Sequence, residues 1–139
     1  MRPEHHIIIS FLVSLIFLLL TGSVLGSLLC FFVGFLIDSD HLIDYLIDVR
    51  RIPTPKQFFD YFYGLKYDKF RIFFHSIELI PVIFFVGRYF IGDILTYGIL
   101  TGFTVHLICD IIYNPEREFT YFLTYRILMG FKRSRLSYV

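Results

Sequence analysis

Four short polar clusters in an otherwise apolar chain carry the side chains able to do chemistry: His5-His6, Asp38-Ser39-Asp40-His41, His75-Ser76, and His106 with Asp110. Imidazole and carboxylate donors without thiolate suit zinc, manganese, iron or magnesium, and mixed Asp/His sets favour the first three. Asp38 to His41 places two carboxylates and an imidazole within four residues. His106 and Asp110, at i and i+4, share a helix face, so both can reach one ion. The seven candidate donors, His6, Asp38, Asp40, His41, His75, His106 and Asp110, exceed what one tetrahedral zinc takes. That leaves a two-ion site, or one ion whose ligands are oriented by further carboxylates. A lone histidine at a helix end is ordinarily interfacial. Five in that position, with aspartates beside three, argue for a shared ion.

These clusters fall where apolar stretches begin or end, approximately at 7–20, 22–37, 76–91 and 94–112. A bilayer core of roughly 30 Å takes about 20 helical residues at about 1.5 Å each. Residues 7–37 hold no charge and would make a rod of roughly 46 Å, too long for one crossing. Thr21-Gly22-Ser23 is the natural break, and Gly87 to Asp93 forms a second glycine-rich turn. The expectation is an all-α, integral membrane four-helix bundle of two helical hairpins, one multi-pass domain over residues 1–139. In that up-down order the four clusters return to a single face, and their histidines and aspartates become neighbours.

Glycines sharpen the expectation. On the second segment Gly22, Gly26, Cys30 and Gly34 recur every four residues and lead to Asp38; on the fourth, Gly98 and Gly102 lead to His106 and Asp110. Small residues let membrane helices approach closely, so two facing rows would bring Asp38 beside His106 and Asp110. Ionisable groups at the centre of a membrane helix cost about 2.5–3.5 kcal/mol each. Nearer the ends the cost is smaller, and a shared cation offsets it.

Composition agrees. The chain is 56% hydrophobic and only 18% charged, against about a quarter charged in soluble domains. A net charge of +1 gives no case for nucleic acid. Cys30 and Cys109 sit inside apolar runs and read as packing residues. Residues 1–26 also have the outline of a signal peptide, but another long apolar stretch follows. Twelve of the thirteen Lys and Arg residues, from Arg2 to Arg135, lie on the side of the polar clusters, and only Arg88 lies opposite. By the positive-inside rule that side is cytoplasmic, in the cell membrane. Residues 42–74 and 116–139, aromatic and basic, suit short helices in the headgroup layer.

The ordered set of motifs resembles the YdjM-like family of membrane-bound, metal-dependent hydrolases. The resemblance runs over most of the chain through His6, Gly34 with Asp38-Ser39-Asp40-His41, Arg71 with His75-Ser76, and Gly102 with His106 and Asp110. The chain departs at Phe70 and Phe74, where the family often reads His and Thr, and at Leu36-Ile37, where it usually has a proline before the aspartates. Asp68 or water could fill the place of that His. The resemblance implies hydrolysis assisted by one or two divalent ions, zinc first, then manganese or iron. Asp38, His41, His75, His106, Asp110 and His6 would be ligands, and Asp40 a bridging ligand or general base. Arg71 would hold a substrate phosphate, or else snorkel to the surface, and Glu78 is a further candidate base. A lipid or amphipathic phosphoester suits the membrane setting. The alternative is a metal-binding membrane protein without catalysis, as an ion carrier, sensor or metal-clipped scaffold.

Overall fold

A computed structural model describes residues 3–64, 66–114 and 116–137; Arg2, counted above for sidedness, lies outside them. The described chain is helical, with helices α1 (Pro3–Thr21), α2 (Val24–Leu36), α3 (Ser39–Val49), α4 (Pro55–Phe62), α5 (Leu79–Phe90), α6 (Asp93–Tyr113), α7 (Leu123–Leu128) and α8 (Arg133–Leu136). Among the described residues there is no strand, only isolated bridges at Lys69 with Lys132 and Glu116 with Ser137. The chain divides into two compact units, Met1–Ile37 with Ser76–Asn114, and Asp38–His75 with Pro115–Val139.

In the first unit α2 packs against α1 and α6, and α5 packs against α6. The expected breaks occur. Gly22, at φ +67, ends α1, and the Ser23 hydroxyl caps α2 by accepting from the Gly26 N–H at 3.1 Å. Gly92, at φ +86, turns α5 into α6, and Arg88 bonds Asp93 across that turn at 2.7 Å. Among the described residues three helical stretches are long and apolar enough to cross a membrane: Pro3–Thr21, Val24–Val49 and Asp93–Tyr113. The second therefore runs past 37, through a two-residue turn at Ile37 and Asp38, into α3. The expected third segment is shorter than foreseen. Its helix, α5, has 12 residues, which cover about 18 Å.

Polarity in this unit is inverted relative to a protein in water. α1 buries His6, Ser10, Ser14 and Phe17, and α2 buries Gly26, Ser27, Cys30 and Gly34. Outside stand Ile8, Phe11, Ile16 and Leu20 on α1 and Phe32 on α2, all exposed. Small and hydroxyl residues inside with large aliphatics outside is the arrangement that lipid selects, since lipid offers no penalty for the second and rewards close packing of the first.

The second unit is built differently. A capping box at Thr54 and Gln57, with Pro55 in the first turn, starts α4. Residues 68–70 pair with 131–133 through Phe70 N–H to Phe131 O at 2.8 Å and Arg133 N–H to Asp68 O at 2.9 Å. Tyr67, Phe70, Ile72 and Leu136 form its core, with Tyr61, Phe62, Tyr125 and Met129 packed around them.

Candidate metal centres

In the first unit the glycine rows face each other as expected. A Cβ on Gly98 would overlap the Gly26 carbonyl, and one on Gly102 would overlap that of Cys30. The backbones therefore touch, and the row continues into chemistry: His106 Nδ1 donates to the Gly34 carbonyl at 2.7 Å. A carbonyl only accepts, so Nδ1 carries a proton and Nε2 is the nitrogen turned toward the acid. That nitrogen lies 3.4 Å from Asp110 Oδ2. His6 Nε2 lies 3.1 Å from Asp110 Oδ1, and the His6 and His106 rings stack at 4.1 Å. One donor atom from each of the three residues falls within 4.8 Å of the others.

A third row, missed in the sequence, delivers His6. His6, Ser10 and Ser14 are buried four residues apart on α1. A Cβ on Gly34 would overlap the Ser10 hydroxyl, and Ser27 donates to the Ser14 carbonyl at 2.6 Å. The signal was available, since serine serves as a small residue in the same spacing. His6, His106 and Asp110 are each 2% exposed. Burying a carboxylate is costly unless it is paired, and a divalent cation held by these donors would contribute to that pairing. His5 takes no part in the group. It is exposed and lines a hollow with Ile8, Ile9 and Tyr113.

The second unit gathers the same donor types. Asp38, His41 and His75 each offer one atom within 4.8 Å of the others. His75 Nε2 is 3.4 Å from Asp38 Oδ1, and His41 Nε2 is 3.8 Å from the same oxygen. Asp40 stands behind this group. Its Oδ2 accepts from the Phe74 N–H at 2.8 Å and lies 3.1 Å from His75 Nδ1. A carboxylate at one imidazole nitrogen turns the other toward an ion and makes it more basic. Asp40 Oδ1 is buried and has no hydrogen-bond partner among the described residues.

Asp40 also begins an acid row that the sequence reading overlooked: Asp40, Asp44 and Asp48, four apart on α3. Arg71 answers the latter two. Its Nη1 is 2.7 Å from Asp44 Oδ1 and 2.7 Å from Asp48 Oδ1, and its backbone N–H donates to Asp44 Oδ2 at 2.9 Å. Burial opposes the guanidinium charge, but the hydrogen bonds and charges of Asp44 and Asp48 outweigh it and raise the Arg71 pKa. Arg126, in sequence one basic residue of the tail, is fully buried. Its Nη1 donates to the Ile72 carbonyl and its Nη2 to the His75 carbonyl, the latter at 3.1 Å. It thus holds the segment that presents His75. Phe70, where the family often reads His, is core: it stacks on Tyr67 at 5.6 Å and approaches the His41 ring at 6.0 Å. Asp68 is exposed.

The donors fit a divalent ion in both units: nitrogen and oxygen only, imidazole together with carboxylate, with an imidazole nitrogen turned inward by a hydrogen bond at the other. No family model, curated protein or solved structure matches the chain. Function must therefore be read from these groups themselves.

Proposed function

We propose that the chain is a membrane-embedded, metal-dependent hydrolase of the YdjM-like kind, holding one divalent ion, zinc first, in each unit. The observation that carries the metal reading is the preset His106, whose Nδ1 is committed to Gly34 so that Nε2 faces Asp110. His6, His106 and Asp110 would hold one ion; Asp38, His41 and His75 the other. A bound divalent ion supplies a water that ionises near neutrality and polarises the electrophile. Asp40 orients His75 through Oδ2 and keeps Oδ1 to receive a proton. Arg71 holds α3 against the 71–75 segment, because two carboxylates already neutralise it.

The two groups differ in access, and that divides their roles. Asp38 and His41 have side chains 25% and 23% exposed, whereas His6, His106 and Asp110 are buried. Catalytic metal sites keep a position open, and structural sites do not. Turnover therefore belongs to the second unit, and the first ion clips α1 to α6. The inverted polarity of the helices supports a lipid or amphipathic phosphoester as substrate, and the distribution of Lys and Arg supports a cytoplasmic face in the cell membrane. A second reading, a metal-clipped scaffold without turnover, is favoured by the burial of His6, His106 and Asp110 alone.

The test is the purified full chain in detergent, loaded with zinc, counted for metal and assayed against phosphoesters and phospholipids. Two bound equivalents are expected. Turnover should be lost on chelation and in Asp40→Asn, the latter with metal retained. Removing metal should also lower the melting temperature; a ligand present at about a hundred times its Kd contributes roughly 2.7 kcal/mol. Metal without turnover would favour the scaffold, and a protein that takes up no zinc would end both readings.

A further inference from the structure

α3 distributes polarity in an unusual way. It buries Asp40, Asp44 and Tyr45, while Leu42, Ile43, Leu46 and Ile47 are 42, 46, 38 and 48% exposed. These four lie at i, i+1, i+4 and i+5, on one face. A helix at the surface of a protein in water shows the reverse, with its apolar stripe inward. Here the acids turn toward His75, Arg71 and Tyr61, through Asp40, Asp44 and Asp48. The outward face carries aliphatic groups.

Two further features fit. Val24–Val49 is a stretch of 26 residues apolar enough to cross a membrane. Its α3 part alone, 11 residues, covers roughly 16 Å at about 1.5 Å per residue, about half of a hydrocarbon core of about 30 Å. It ends at Arg50 and Arg51, both exposed, with Arg50 leaving the helix at φ 54. An exposed basic pair at the end of an apolar span is a headgroup anchor.

We propose that the Leu42, Ile43, Leu46 and Ile47 face of α3 lies against lipid, so that the donors of the second unit sit below the level of the lipid phosphates. Asp38 precedes Arg50 by about 18 Å of helix. This replaces the expectation that residues from 42 onward lie in the headgroup layer. It also narrows the substrate: a molecule must partition into the bilayer to meet Asp38 and His75, which selects an amphiphile over a water-soluble phosphoester. The inference rests on the membrane reading above.

The chain contains no tryptophan, so single tryptophans report depth without background. Ile43→Trp and Ile47→Trp, placed on the exposed face, would be compared in the full chain reconstituted into phosphatidylcholine and phosphatidylglycerol vesicles. Phe32→Trp, on the exposed side of α2, serves as the lipid reference. Lys56→Trp serves as the water reference, since that side chain is 88% exposed. Lipids brominated on their acyl chains and aqueous iodide are the two quenchers. The expected result is that Ile43→Trp and Ile47→Trp lose most of their emission to bromolipid, as Phe32→Trp does, and little to iodide. Iodide quenching like that of Lys56→Trp, with Phe32→Trp still quenched by lipid, would overturn this inference and leave the membrane reading intact. Shielding from both quenchers would put protein, such as a second copy, on that face and overturn it as well. Iodide quenching of Phe32→Trp would remove the membrane reading itself.

Discussion

In the first unit His6, His106 and Asp110 prolong rows of small residues on α1 and α6, and backbone contact sets their positions. In the second unit Asp38, His41 and His75 depend on side chains that bond to loop backbone: Asp40 on the Phe74 N–H, Asp44 on the Arg71 N–H, Arg126 on the carbonyls of Ile72 and His75. The donor set is the same. What differs is the physics that aims it. Regular helices in an apolar solvent need only close approach, because every backbone group is already paired. An irregular segment needs partners for its backbone groups, and buried charged side chains provide them.

The sharpest way to break this comparison is Gly102→Val. Its branched side chain would begin inside the Cys30 carbonyl. Because backbone rather than a flexible side chain must yield, the cost should reach or exceed about 3 kcal/mol, the upper end for overpacking. Melting in detergent should show it, and metal counting should show one equivalent lost from the first unit with the second retained. Loss of both equivalents would mean that the two groups are not independently held.

Arg126→Gln is the reciprocal experiment. Hydrogen bonds to a charged group contribute about 1.5–3 kcal/mol each, so a destabilisation of roughly 3 kcal/mol is expected. Metal affinity in the second unit should fall about 10–100-fold, as for other supporting residues of metal sites. Arg126→Lys keeps the charge without the planar fork and should recover only part of both. Zinc titration alongside thermal melting separates the two effects. Unchanged affinity in a folded Arg126→Gln protein would mean that His75 is positioned by Asp40 alone.

The smallest effect concerns the aromatic core of the second unit. Burial, and then the charge of Glu116, pushes the Tyr67 hydroxyl up to about 12. The unfolded chain loses this proton near pH 10, while the folded chain keeps it to about pH 12. Its contribution is therefore complete below pH 10 and declines as pH rises through that window, by on the order of 2 kcal/mol. Tyr67→Phe should flatten the fall in urea midpoint between pH 10 and 12, and an unaltered slope would assign it to other groups.

Much of the first unit was legible in residue order. The breaks at Gly22 and Gly92 follow from glycine at the turns, and the rows ending in Gly34 and in His106 with Asp110 follow from a period of four. The Ser10–Ser14 row obeys the same rule and went unread because only glycine was followed. In the second unit the acid row on α3 was equally periodic but lay in a region read as a flank. Arg126 had no periodic signal. It is one arginine in a basic tail until the fold removes it from solvent.

Chain order by itself determined where helices start and stop, which of their faces are small or large, and which residues could bind an ion, because each depends on neighbours within a turn or two. Tertiary structure decided which nitrogen of His106 bonds the Gly34 carbonyl, that Asp40 stands behind His75, and that Arg71 spends its charge on Asp44 and Asp48. Those pairings join residues 72, 35 and 27 apart in sequence. A hydrogen bond acts over about 3 Å, so only the meeting of distant surfaces could choose among the partners available.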